Sequence, residues 1–212
     1  MDGNVYHELA TEISRLLHWA DELPELILVG IGYDTDDKGM IYGLRQWDMT
    51  PTNTREFSGE AGEFLKFFQE EIIPHIDANY RTDPADRTIV GHSHGGLFSL
   101  YALFHAPEAF DRYVAASPSL WWDDRVLFEH EQEFADEHSD LPVKLFLSVG
   151  ELEEEEAIVG PDENWVSNLS EFHGRLEERD YAGLDMEMAI MEDESHGTVI
   201  VGALSKGSRT VF

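Results

Sequence analysis

Short, nearly continuous apolar runs rich in β-branched and aromatic residues, at 26–31, 88–90, 113–116, 143–149 and 186–191, alternate along the chain with amphipathic stretches. The amphipathic stretches lie at about 5–20, 59–79, 95–105, 123–138, 163–180 and 197–211. A strand that is apolar at every position must be covered on both faces, and helices alternating with such strands supply the cover. The pattern predicts an α/β fold, a mostly parallel sheet with helices on both faces. Pro74 should kink or end the second helix, because it lacks an amide and its ring clashes with the preceding turn. Residues 32–58 carry no clear period and read as a long loop, a kind that is usually functional inside a compact domain. No repeat, linker or change of composition marks a boundary, so residues 1–212 are read as one domain.

Composition narrows the chemistry. The chain has no cysteine, which excludes disulfides, thiolate metal sites and a cysteine nucleophile. Against 44 Asp and Glu stand 14 Lys and Arg, a formal net charge of −30 that makes nucleic acid and anionic membrane poor partners. No apolar run approaches the ~20 residues a spanning helix needs, and a soluble, cytoplasmic chain is expected. The acids are spread over the whole length, as in surfaces adapted to high salt, where counterions screen the self-repulsion. The run Glu153-Glu154-Glu155-Glu156 is expected to be mostly a solvated loop, since consecutive carboxylates do not share a face to hold a cation.

The strongest local signal is Thr88-Ile-Val-Gly-His-Ser-His-Gly-Gly-Leu97. A buried strand runs into Gly91-His92-Ser93-His94-Gly95 and then directly into a helix, the arrangement of a nucleophile elbow. Glycines two before and two after Ser93 let the backbone turn sharply, so that the hydroxyl projects from the end of the sheet at a helix N-terminus. The His94 amide, directly after the nucleophile, is the expected first oxyanion donor. His92 and His94 could in principle pair on a metal, but side chains diverge on a tight elbow and nothing completes a site. No metal and no cofactor is predicted.

A serine hydroxyl is inert without a base, and the base needs a carboxylate to orient it. In folds that use this turn the partners follow in the order Ser, acid, His, each in a loop after a later strand. The run 143–149 ends in Gly150-Glu151-Leu152-Glu153, and 186–191 is followed by Glu192-Asp193-Glu194-Ser195-His196. His196 is the candidate base. Glu153 is the first candidate acid, because the third residue after the strand-ending glycine can turn back toward the histidine, with Glu151 the alternative.

With these residues in hand, the chain resembles the esterase family of α/β-hydrolases that includes esterase D-like enzymes and the ferric siderophore esterases. The matching pieces are Asp2-Gly3-Asn4, Val29-Gly-Ile-Gly-Tyr33, Arg45 with Asp48-Met-Thr-Pro51, Gly91 to Gly96, Ser117-Pro-Ser-Leu-Trp-Trp122, Gly150-Glu-Leu-Glu153 and Ser195-His-Gly197. The resemblance implies an α/β-hydrolase fold and a serine carboxylic ester hydrolase acting on a small-molecule ester, either a catecholate siderophore or a simple acyl ester. It implies Ser93, Glu153 or Glu151, and His196 as catalytic residues, a second oxyanion amide at Asn4, and Arg45 and Trp121 bordering the substrate cleft. It also implies an N-terminal truncation. In relatives an Asp-Gly pair like Asp2-Gly3 ends a central strand, so three strands are expected to be missing, with a gap between 26–31 and 88–90. Acyl transfer on the same residues and a non-catalytic domain are the alternative readings.

Overall fold

The computed structural model describes residues 1–155 and 163–212. Four parallel strands form one sheet in the order β1 (Thr88–His92), β2 (Arg112–Ala116), β3 (Lys144–Gly150), β4 (Asp185–Met191). These are four of the five expected runs. Side chains on β2 alternate, as the period of a strand requires. Tyr113 and Ala115 join a large cluster with α5 (His94–His105), α6 (Trp122–Glu137) and α7 (Trp165–Arg179). Val114 and Ala116 face α8 (Val199–Val211), against which α1 (Gly3–Trp19) also packs. The sheet is thus covered on both faces, the α/β architecture that the apolar runs predict.

The fifth run, 26–31, is not a strand. Gly3 N donates to Ile31 O at 2.7 Å, but Ile27, Leu28 and Val29 are 47, 37 and 43% exposed. Apolar character does not make a strand unless a neighbouring backbone offers a ladder, and among the described strands β1 pairs with β2 alone. On the other side of β1 the Met1 ammonium donates to Val90 O at 2.6 Å.

Two further expectations change. The segment 32–58 contains α2 (Lys38–Met49), whose first turn is capped by Asp37 Oδ1 accepting from Met40 N at 2.8 Å. Gly39 and Gly43 weaken its intrinsic helix preference and obscure the period, and packing against α5 sustains it instead. The helix at 59–79 does not break at Pro74. It runs as α3 (Ala61–Phe67), a π turn (Phe68–Ile72) and α4 (Ile73–Asn79), with Ile73 N reaching Phe68 O. The π turn puts Pro74 in the first turn of α4, where a missing amide costs least.

One buried carboxylate ties α6 to α7. Glu131 is fully buried, and it accepts from Arg179 Nε at 2.9 Å and from the Tyr181 hydroxyl at 3.0 Å, with Arg175 Nε paired to its other oxygen. Removing the anion would leave two partly buried guanidiniums uncompensated. Glu131→Ala should therefore cost about 3 kcal/mol of stability, measured by urea unfolding; a loss below about 1 kcal/mol would mean that the clamp is not what holds α7.

Candidate active site

The turn from β1 into α5 carries the strain that the sequence leads one to expect. Ser93 has φ 61 and ψ −121, a sparsely populated region for a residue with a side chain. Two glycines make the turn feasible. A Cβ on Gly91 would collide with Gly95 O, and one on Gly96 would sit 2.9 Å from Ala116 O. Ser93 N donates to Ala116 O at 3.0 Å, which anchors the turn to the end of β2.

Glu153 lies on a 3-10 turn (Glu151–Glu154) directly after β3, and its side chain is fully buried. Its Oε1 accepts from the Ser117 hydroxyl and from Gly150 N, both at 2.6 Å, and its Oε2 lies 2.6 Å from His196 Nδ1. Glu151 instead accepts from Asp193 N at 3.2 Å and is exposed. Of the two candidate acids, Glu153 is thus the one on the imidazole. The run of four glutamates is not simply solvated: Glu153 is buried, and Glu154 accepts from Val166 N at 2.8 Å and Ser167 N at 3.0 Å, capping the start of α7. Glu156 lies outside the described residues.

His196 sits in the loop between β4 and α8, and its ring lies 4.5 Å from that of His92 and 4.4 Å from the indole of Trp165. The histidines flanking Ser93 do diverge. His92 Nδ1 meets the Tyr6 hydroxyl at 3.0 Å, whereas His94 Nδ1 meets the Ser119 hydroxyl at 3.0 Å. Burial pushes the pKa of each down to about 3, helped for His92 by the neighbouring His196 and for both by Arg45. Both are therefore neutral at physiological pH. Among the described residues no group of three or more His, Asp or Glu side chains is gathered as a metal site.

The segment Ser117-Pro-Ser-Leu-Trp-Trp122 acquires a physical reason here. Ser117 holds Glu153, Ser119 holds His94 and donates its amide to Ser93 O at 3.2 Å, and the two indoles lie 6.1 and 5.3 Å from the His94 ring. Arg55 lies over them, 5.6 Å from Trp121 and 5.2 Å from Trp122. Ser117, Ser119, Arg55 and Trp165 were not singled out by sequence reasoning. The only available signal was that the first two belong to a motif with no general reason to follow a strand.

Two of the expected residues are engaged structurally. Arg45 makes a bidentate pair with Asp2 at 2.8 and 3.0 Å and donates to His92 O at 3.1 Å; its side chain is 13% exposed. Burial works against the charge on Asp2, but the Arg45 guanidinium holds its carboxyl below the usual range. Asn4 lies in the first turn of α1, with its side chain bridging the loop beyond Gly32: Oδ1 accepts from Tyr33 N at 2.6 Å and Nδ2 donates to Tyr33 O at 2.7 Å.

A parallel sheet with helices on both faces, a strained serine between its first strand and the next helix, and an acid and a histidine in loops after later strands make up the frame of an α/β-hydrolase. The family model described as "Putative esterase" matches residues 1–179, and the chain belongs to that family. It is 29% identical to ferri-bacillibactin esterase BesA of Bacillus subtilis over 99% of this chain and 76% of that protein. It is 28% identical to a siderophore enterobactin esterase of Emericella nidulans, covering 98% of this chain and 78% of the relative. Siderophore hydrolase EstA from Aspergillus nidulans superposes with a TM-score of 0.85 at 30% identity, over 98% of this chain and 78% of that one.

The two glutamates differ in what they touch, and their amide variants should separate accordingly. Glu153→Gln removes the charge beside His196 and should lower kcat by on the order of 10⁴, while Glu151→Gln should change it less than about tenfold. Steady-state hydrolysis of a p-nitrophenyl ester by the two variants checks this, and the reverse ranking would move the assignment to Glu151.

Proposed function

We propose that the protein is a serine esterase that cleaves the carboxylic esters of a siderophore through an acyl-Ser93 intermediate. The reading rests on one observation above the others: a buried Glu153 carboxylate 2.6 Å from Nδ1 of the imidazole in the loop after β4, in a fold whose nucleophile turn is occupied by Ser93. A carboxylate at Nδ1 favours the tautomer protonated there, so Nε2 is the basic nitrogen. His196 takes the Ser93 proton as Oγ attacks the ester carbonyl, and the amides of His94 and Asn4 receive the oxyanion. Collapse of the tetrahedral species expels the alcohol, which carries away the imidazolium proton. Water, activated by the same imidazole, then releases the acid and restores Ser93.

The siderophore class is supported by the relatives, which are named for bacillibactin and enterobactin esters. Trp121 and Arg55 offer an aromatic face and a cation beside the nucleophile turn. Arg45 contributes by fixing Asp2 and the end of β1 rather than by touching the substrate. No helix among the described residues is long and apolar enough to cross a membrane.

Exchanging the Ser93 hydroxyl for hydrogen removes the nucleophile and almost no packing. Ser93→Ala should abolish both p-nitrophenyl ester and cyclic catecholate ester hydrolysis and leave the far-UV spectrum unchanged; retention of more than a few per cent of activity would exclude Ser93. Parent protein that hydrolyses the p-nitrophenyl ester but not the catecholate ester would limit the assignment to simple esters.

The acidic surface is read as an adaptation to salt, because a formal charge of −30 on 212 residues is a large self-repulsion in dilute buffer. Raising ionic strength from about 0.01 M to 1 M shortens the screening length from roughly 30 Å to roughly 3 Å. Tm and kcat should both rise with added KCl in a thermal-shift and rate series. A flat or falling Tm would overturn the adaptation.

A further inference from the structure

The side chain packed on His196 opposite in chemistry to Glu153 is an indole. The Trp165 ring centroid lies 4.4 Å from that of the imidazole, with the planes inclined at 45°, and Trp165 is 3% exposed. That separation is inside the ~6 Å over which a cation is attracted to an indole. The indole is itself fixed: Nε1 donates to Glu163 Oε2 at 2.7 Å, and Glu163 is 3% exposed. A carboxylate on the indole N–H pushes electron density into the ring and so strengthens its pull on a neighbouring cation. The start of α7, from which Trp165 projects, is in turn capped by Glu154, the residue after Glu153.

Resting on the reading of His196 as the base, we propose that Trp165, polarised by buried Glu163, is a positioning residue that stabilises the imidazolium formed at His196 in the transition state. The indole acts when the Ser93 proton arrives on His196, and the charge it favours is lost again when that proton passes to the leaving alcohol. Among the described residues, the charged or titratable groups around the imidazole include Glu153 after β3, His92 and His94 at the nucleophile turn, and the Asp2 and Arg45 pair behind them. His92 and His94 are neutral, and Asp2 and Arg45 offset one another. Among the described residues, Glu153 and the Glu163-bound indole both favour the cation.

The test replaces Trp165 site-specifically with 5-fluoro- and 5,6,7-trifluorotryptophan, which keep the shape of the ring and progressively weaken its attraction for a cation. We expect kcat for a p-nitrophenyl ester to fall stepwise, by roughly three- to tenfold at the trifluoro ring, with KM unchanged within about twofold. Glu163→Gln, which keeps an acceptor for the indole N–H but removes its charge, should lower kcat by a smaller factor and also leave KM unchanged. A flat fluorination series in a protein that His196→Ala inactivates overturns the role of Trp165 and leaves the base assignment standing. Activity retained in His196→Ala overturns both.

Discussion

The Glu153 carboxylate is the point on which the rest of the site depends. Its three donors come from three parts of the sheet's carboxyl end: Ser117 after β2, Gly150 at the end of β3, and His196 after β4. An anion that is fully out of water must have its lone pairs satisfied, or it costs several kcal/mol. Satisfying this one pulls three separate loops into a single register. The imidazole is thereby oriented from a fixed base, and the loop carrying it is no longer free to choose among conformations.

The same economy recurs elsewhere in a chain that has few cations. Arg45 is spent on buried Asp2 at the entrance to α1, and Arg175 and Arg179 on buried Glu131 between α6 and α7. Buried Glu163 accepts from the indole N–H of Trp165. The large acidic surplus is thus a property of the surface, while each interior carboxylate has a specific donor. The surface term responds to salt and the interior pairs much less, because screening by ions does not reach buried groups.

The nucleophile turn is the second constraint, and it is geometric. Ser93 holds a positive φ only because Gly91 and Gly96 let β1, α5 and the end of β2 approach within contact distance. The segment from Ser117 to Trp122 then fills the space beyond β2 with hydroxyls that bind the site's own side chains and with indoles that wall it. Strain at the nucleophile is repaid by hydrogen bonds from a segment about 25 residues away in sequence, as the Ser93 carbonyl and Ser119 amide illustrate.

Four strands, six helices and the strained serine turn were legible in the sequence, because burial on both faces and a tight glycine turn are local demands that leave local patterns; α5 is buried on nearly every side rather than amphipathic. Other features were decided only by tertiary structure. The run 26–31 is apolar enough for a strand, yet strand formation depends on a partner backbone, which no single segment reveals. Helix α2 was hidden because its glycines defeat the periodicity that packing on α5 restores. The pairing of Arg45 with Asp2 was also hidden, since an exposed guanidinium and one paired to a carboxylate 43 residues away look alike in one dimension. Ser117, Ser119 and Trp165 make contacts whose partners lie 25 to 36 residues away for the serines and, for the tryptophan at the start of α7, in the loop after β4. A linear pattern records what a residue's own neighbours require of it, and the site's supporting contacts are made by residues that become neighbours only after folding.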